Sequence, residues 1–251
     1  MPIIDCHVHL HPPGSTTAPW ISHPDYREVL AWLVAEGIQR LVAFPTFANA
    51  PNNEGMARLA EAAGGTVIPF AWVNPHLGET ALSEARRLLH ARRLRGIKFH
   101  PLLHAFFPNR PLLDPFMKMA ADEGVPVLFH SGHSMQSLPW QIAEVAESWP
   151  AVTVIMDHMG LQLGWVDDAI RLAEKIPNLV LGTTAMPFHL KIREAVDRVG
   201  SGRVVWGSDA PSIHPRVELL RVKVAGLTAQ QEADVLGNSI LRLLGESDST
   251  G

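Results

Sequence analysis

Cysteine is all but missing from this chain: Cys6 is the only one in 251 residues, so no intrachain disulfide can brace the fold and nothing argues for an oxidising compartment. No run of about 18 uninterrupted apolar residues occurs, and the opening "MPIIDCHVHL" has no basic leader before an apolar stretch, so neither membrane insertion nor export is indicated. Basic excess is lacking too. Lys and Arg number 21 against 25 Asp and Glu, a formal net charge of -4, with a pI near 6.3, which leaves no basic stripe for nucleic acid or anionic lipid. No dinucleotide fingerprint is present, and no helix opens directly after the glycines of "EAAGGTV" to cradle a phosphate. The "SGHS" at Ser131 to Ser134 lacks the GxSxG elbow of a serine nucleophile. What these absences leave is small-molecule chemistry in a chain expected to be cytoplasmic.

What is present is a large potential core, with 47% hydrophobic and 18% charged residues, enough for one α/β barrel or two smaller domains. Eight short apolar, β-branched runs recur at 3 to 10, 39 to 45, 66 to 74, 94 to 101, 125 to 133, 152 to 160, 178 to 185 and 203 to 211. Each is followed by a stretch of helical spacing, the pattern of parallel strands buried on both faces. "EVLAWLVAEG" and "LLDPFMKMAADEG" end at Gly37 and Gly124, which suits left-handed helix caps. A short helix is expected near Arg216 to Val224, then a last one opened by Thr228 and Gln231 at capping-box spacing. The fold expected is a single (β/α)8 TIM barrel over residues 1 to 245 with an added C-terminal helix and a frayed tail from 246 to 251.

Histidine is abundant, at 13 residues, and its placement favours a closed barrel over an open doubly wound sheet. In "IDCHVHLH", His7 and His9 project to one face of an extended strand, with Cys6 and Val8 on the other. Two imidazoles at this spacing can bind a divalent metal, and zinc, about 2.0 Å from nitrogen, is the usual occupant. His130 ends "VPVLFH", His158 ends "VIMDH" and Asp209 ends "VVWGSD". Five polar residues at the ends of buried strands would each cost several kcal/mol without partners; a shared ion removes that cost. Only a closed barrel brings the ends of such distant strands to one axis.

With "IDCHVHLH", "GIKFHP", "FHSG", "MDHMG" and "WGSDAP" in this order, the chain resembles the amidohydrolase superfamily, in particular its amidohydrolase-related (amidohydrolase 2), aminocarboxymuconate-semialdehyde decarboxylase-like group. The resemblance implies that His7, His9, His130 and Asp209 bind one divalent metal, most simply zinc, and that His158 is the nearby acid/base or carbonyl-polarising residue. It also raises a second metal bridged by a carboxylated Lys98; the preferred alternative leaves Lys98 cationic, anchoring a substrate carboxylate or paired with Asp5, one step deeper than His7. His100, Lys98, Arg110 and Trp140 are candidate substrate contacts, and a homodimer is a habit of such enzymes.

The expected activity is a metal-dependent hydrolase: a zinc-activated water attacks an amide, ester or lactone carbonyl, and Asp209 shuttles its proton. The alternative is non-oxidative decarboxylation of an unsaturated or aromatic acid, with Arg110 or Arg216 as cationic anchor and Phe106, Phe107, Trp140, Trp165 and Phe188 as flat walls. A non-catalytic binder is the third reading; it requires a closed coordination sphere, completed by His11, His104 or His133. His23, His76, His189 and His214 are taken as loop residues.

Overall fold

Alternate residues of the apolar runs pack into two separate hydrophobic layers in the computed structural model, which describes residues 2–15, 25–45 and 51–246. His23 and the expected tail from 247 onward lie outside the described residues. The strands are β1 (Ile4–Leu10), β2 (Arg40–Pro45), β3 (Val67–Pro69), β4 (Ala71–Trp72), β5 (Ile97–Phe99), β6 (Val127–His130), β7 (Val154–Asp157), β8 (Leu179–Gly182) and β9 (Val204–Val205). Every neighbouring pair is parallel, in the order β1-β2-β3 and β4 through β9. The third expected strand is divided at Phe70, whose N–H turns back to the Ala43 carbonyl (2.8 Å) while Ala71 donates forward to Gly96 (2.8 Å). Neighbouring Pro69 has no N–H to continue a ladder.

The first and last strands meet. Cys6 N–H donates to the Trp206 carbonyl (2.9 Å), His9 N–H to Ala210 (2.8 Å) and Asp209 N–H to His7 (3.0 Å), with Val8 bridged in parallel to Ala210. These bonds join β1 to the segment after β9, so the N-terminal histidines and Asp209 sit on one seam of a TIM barrel.

Helices α1 (Tyr26–Ala35), α2 (Asn53–Ala62), α3 (Glu79–His90), α4 (Asp114–Glu123), α5 (Pro139–Ser148), α6 (Leu163–Lys175), α7 (His189–Val199) and α8 (Pro215–Lys223) follow the strands. Their buried faces pack on the outward strand residues, such as Leu41, Ile97, Phe129 and Met156. Gly124 ends α4 in the left-handed conformation, and Gly37 has φ 79 just past α1. The inward residues Val42, Ile68, Leu128, Ile155, Val180 and Val205 form the second layer, floored by Ile240, Leu241 and Leu244. That floor is a helical run from α9 (Ala229–Ala233) through a π-turn to α10 (Ser239–Leu243); its Thr228–Gln231 capping box is formed. Among the described residues no helix is long and apolar enough to cross a membrane.

Candidate active site

The apolar interior stops one layer below the C-terminal strand ends, where polar side chains replace it. β1 does not run straight through its histidines: its register against β2 shifts between Asp5 and Val8. Ile4 and Cys6 belong to the inner layer, whereas Val8 and Leu10 belong to the outer one. Cys6 and Val8 therefore do not share a face, contrary to the alternation expected of a regular strand. An irregularity of this kind re-aims side chains beside a site, and here it turns His7 and His9 inward over Phe44, with ring centroids 4.8 Å from it in both cases.

Three donor atoms converge there. His7 Nε2 and His9 Nε2 lie 3.0 Å apart, and Asp209 Oδ1 is 3.2 Å from the first and 3.3 Å from the second. Ligands bonded to one divalent ion at about 2.0–2.2 Å have this mutual spacing. The donor chemistry fits as well. Burial lowers the His9 pKa to about 4, keeping that imidazole neutral and available. Burial opposes ionisation of Asp209, but the two histidines outweigh it and hold the carboxyl well below its usual range.

His130 lies in the same wall but not among these three atoms. Its ring stacks on His100 (3.9 Å, 13°), and its Nε2 faces His133 Nδ1 at 3.2 Å. Burial keeps both His100 and His130 neutral by pushing their pKa values well down. His100 Nδ1 accepts the Leu103 N–H (3.2 Å).

Asp157, which the sequence reading did not single out, is the link between the ligand cluster and His158. One of its carboxylate oxygens contacts His7 Nδ1 and lies 3.2 Å from His158 Nε2. Burial disfavours its charge, but His158, His7 and Lys98 together hold it ionised. Gly182 leaves the room: a Cβ there would collide with the Asp157 carboxylate and come within 3.0 Å of its Cα. His158 itself adopts φ 63, and its Nδ1 lies 2.9 Å from the Thr184 carbonyl oxygen. That acceptor places the ring proton on Nδ1. Nε2 then faces Asp157, whose charge favours a second proton on the ring, but burial outweighs it and lowers the His158 pKa.

Lys98 is fully buried beneath the site, 5.0 Å over the Phe44 ring, and its Nζ has no hydrogen-bond partner. Burial lowers its pKa to about 8 against the pull of Asp157 and Asp209. It makes no ion pair with Asp5, whose Oδ1 instead accepts the N–H groups of His7 (3.1 Å) and Ser208 (2.9 Å), and whose carboxyl burial pushes up to about 7.

A cavity of about 290 Å³ opens over these groups, lined by His7, His9, His100, His130, His133, His158 and Asp209 together with Leu102, Leu103 and Ala185. Arg110 and Trp140 are not part of this lining. Arg110 lines a separate cavity beside α4 and α5, and Trp140 stands on α5 with 41% of its surface exposed. Arg216 is tied to Glu36 on the exterior, with contacts of 2.7–3.1 Å. Phe106 packs against Phe99 in the outer layer.

Known structures share this architecture. An uncharacterised TIM-barrel protein of Bordetella bronchiseptica superposes with TM-score 0.80 at 19% identity, over 98% of this chain and 99% of that one. The 5-carboxyvanillate decarboxylase LigW2 of Novosphingobium aromaticivorans, with bound manganese, gives 0.77 at 12% over 97% of each chain. A protein designated probable 2-pyrone-4,6-dicarboxylic acid hydrolase from Acinetobacter baumannii, with citric acid bound, gives 0.72 at 17% over 98% and 100%. No curated protein matches the chain in sequence. The amidohydrolase family model matches residues 4–245, nearly every position from β1 through the floor helix, and the chain belongs to the amidohydrolase family.

Proposed function

We propose that this enzyme is a zinc-dependent hydrolase acting on a small, uncharged carbonyl compound, an ester, lactone or amide. The observation that carries the reading is the cavity lining, which contains no Lys or Arg among the described residues. Segments 16–24 and 46–50, "TTAPWISHP" and "TFANA", carry none either. A di- or tricarboxylic acid needs a cationic anchor to offset its desolvation; Leu102, Leu103 and Ala185 suit an apolar substituent instead.

In this reading His7, His9 and Asp209 hold the ion, with His130 within the same wall. Bound there, a divalent ion supplies Lewis acidity to a carbonyl oxygen and acidifies water. Asp209, ionised and facing the cavity with 20% of its side chain exposed, takes the proton of the attacking water and returns it to the leaving group. His158 lines the same cavity; with its Nδ1–H held by the Thr184 carbonyl, it donates toward the oxygen on which negative charge develops through Nε2, once that nitrogen carries the ring's second proton. Asp157 keeps His7 oriented.

The decarboxylase alternative draws support from one feature, the unpartnered Lys98 ammonium beneath the cavity. A panel of simple esters, lactones and amides, run beside aromatic and unsaturated acids with CO2 trapping, separates the two. Hydrolysis that tracks zinc content is the expected result. Evolved CO2 with no hydrolysis would replace the hydrolase reading by the lyase one.

A further inference from the structure

We propose that the arginine-lined cavity at the N-terminal end of the barrel is a second ligand site, one that takes a small organic carboxylate in place of the chain's own Glu246. About 250 Å³ in volume, it opens beside the first residues of β2 and β3, at the opposite strand ends from the histidines. Its lining holds four arginines, Arg40, Arg92, Arg93 and Arg95, against two carboxylates, Glu61 and Glu246, in a chain whose net charge is -4. Arg93 is neutralised by Glu61 (2.7 Å) and by Glu54 (2.6 Å). Arg40, Arg92 and Arg95 are then left to share the one remaining lining carboxylate, Glu246.

The cradle already holds a carboxylate. Glu246 Oε2 accepts from Arg40 Nη1 (2.5 Å) and its Oε1 faces Arg95 Nη1 (2.9 Å), so two guanidiniums clamp one carboxylate by an oxygen each. Both forks are fixed by the backbone: Arg40 Nε donates to the Gly65 carbonyl (3.1 Å) and Arg95 Nη2 to that of Leu244 (3.1 Å). Donors held this way lose little freedom on meeting a ligand. All three side chains are half-buried, between 19% and 32% exposed, so salt screens their charges less than at an open surface. Glu246 needs only its side chain to swing away, because its N–H stays bound to the Leu241 carbonyl (2.9 Å). Exchange for a free carboxylate is balanced in charge and in hydrogen bonds. What the free ligand adds is apolar: beside the arginines the walls are Ala57, Ala60, Val67 and Pro69, against which an alkyl or aryl body is buried. An inorganic anion gains nothing from those walls.

The site owes nothing to the chemistry at the other end of the barrel, and its test needs no turnover. Butyrate is titrated, at constant ionic strength, into zinc-loaded protein labelled with nitrogen-15 arginine, with formate as the same head group lacking a body. Arginine Nε–H resonances distinguish this cavity from the histidine-lined one, which has no arginine among its described lining residues. Butyrate should shift the Arg40 and Arg95 resonances saturably. Formate should bind about tenfold more weakly, the effect of losing a partly buried alkyl chain. Glu246→Gln removes the competing charge and should tighten butyrate binding about tenfold, since hydrogen bonds to charged groups are worth that much or more. Arg95→Gln should abolish the Arg40 shift, while zinc affinity, read by chelator competition, stays at the wild-type value. No saturable shift in either the wild type or Glu246→Gln would overturn the proposal, as would an Arg40 shift that survives in Arg95→Gln. Formate binding as tightly as butyrate would also overturn it, marking attraction by charge alone. Equal butyrate affinity in Glu246→Gln and wild type overturns the exchange, and does so even where Arg95→Gln does not fold.

Discussion

Asp157 shares one carboxylate oxygen between two imidazoles, contacting His7 at Nδ1 and His158 at Nε2. The ring that offers Nε2 to the three converging donor atoms is therefore held by the same oxygen that faces His158 Nε2. Asp157→Asn keeps the shape and removes the charge. Its metal affinity should fall about 10–100-fold, the usual effect of losing a carboxylate behind a histidine ligand, as read by chelator competition. Affinity equal to wild type would mean that Asp157 does not orient His7 for metal.

Zinc added to the metal-free protein should raise Tm. At a free concentration about 100 times Kd the gain is about 2.7 kcal/mol. His9→Ala removes one of the three converging atoms and should abolish most of this gain, while its Tm without metal changes far less. Calorimetry with and without metal makes the comparison, and a full zinc-induced shift in His9→Ala would place the ion elsewhere.

Asp209→Asn bears on the proton transfer. The amide retains an oxygen facing His7 and His9, so metal stays bound at reduced affinity, but it cannot accept a proton from water. Turnover should drop by about 10²–10⁴, the range typical of general acid–base groups, with metal content monitored in the same sample. Full activity at full occupancy would remove Asp209 from the role of base.

The stability of the fold should carry a signature of Glu218. Burial raises its carboxyl from an ordinary value of 4.5 to about 7, with Arg221 lowering it and the Asp209 charge raising it. Between these two values the unfolded chain releases the proton and the folded chain keeps it. Stability from this group is thus complete below about pH 4.5 and declines as pH rises toward 7. Glu218→Gln lacks the decline, so the Tm difference between wild type and variant should move against the wild type across that window. A difference that stays constant from pH 4.5 to 8 contradicts the raised value.

Much of the fold can be read from short, continuous apolar runs, because parallel strands covered by helices must be apolar on both faces, and strand alternation then assigns each residue to a face. The same rule failed where the backbone departs from regular extension. Strands expected to run to residues 133, 160 and 185 stop at His130, Asp157 and Gly182. Beyond them His133, His158, Met159 and Ala185 take positive φ, which no composition signal announces for these residue types. Alternation alone would put His158 on the outer face, next to Met156, and Asp157 inside, next to Ile155. Asp157 was therefore findable: it continues the inward row Ile155, Asp157 of a buried strand. His158 joins it inside only because of its φ. The separation of Cys6 from Val8 has a similar origin in the shift within β1. Glu218 carried no signal, since a glutamate followed three residues later by an arginine on a helix reads as a solvated pair.

The seam between β1 and the segment after β9 also has a meaning in time. His7 and His9 are synthesised some 200 residues before Asp209 and before the Trp206 and Ala210 carbonyls that grip β1. At about 5–20 residues per second, the two halves of the site are separated by roughly 10–40 s of synthesis. Nascent chains short of that point lack the carboxylate of the three converging atoms, so the donor cluster around His7 and His9 is complete only once residue 209 has been made.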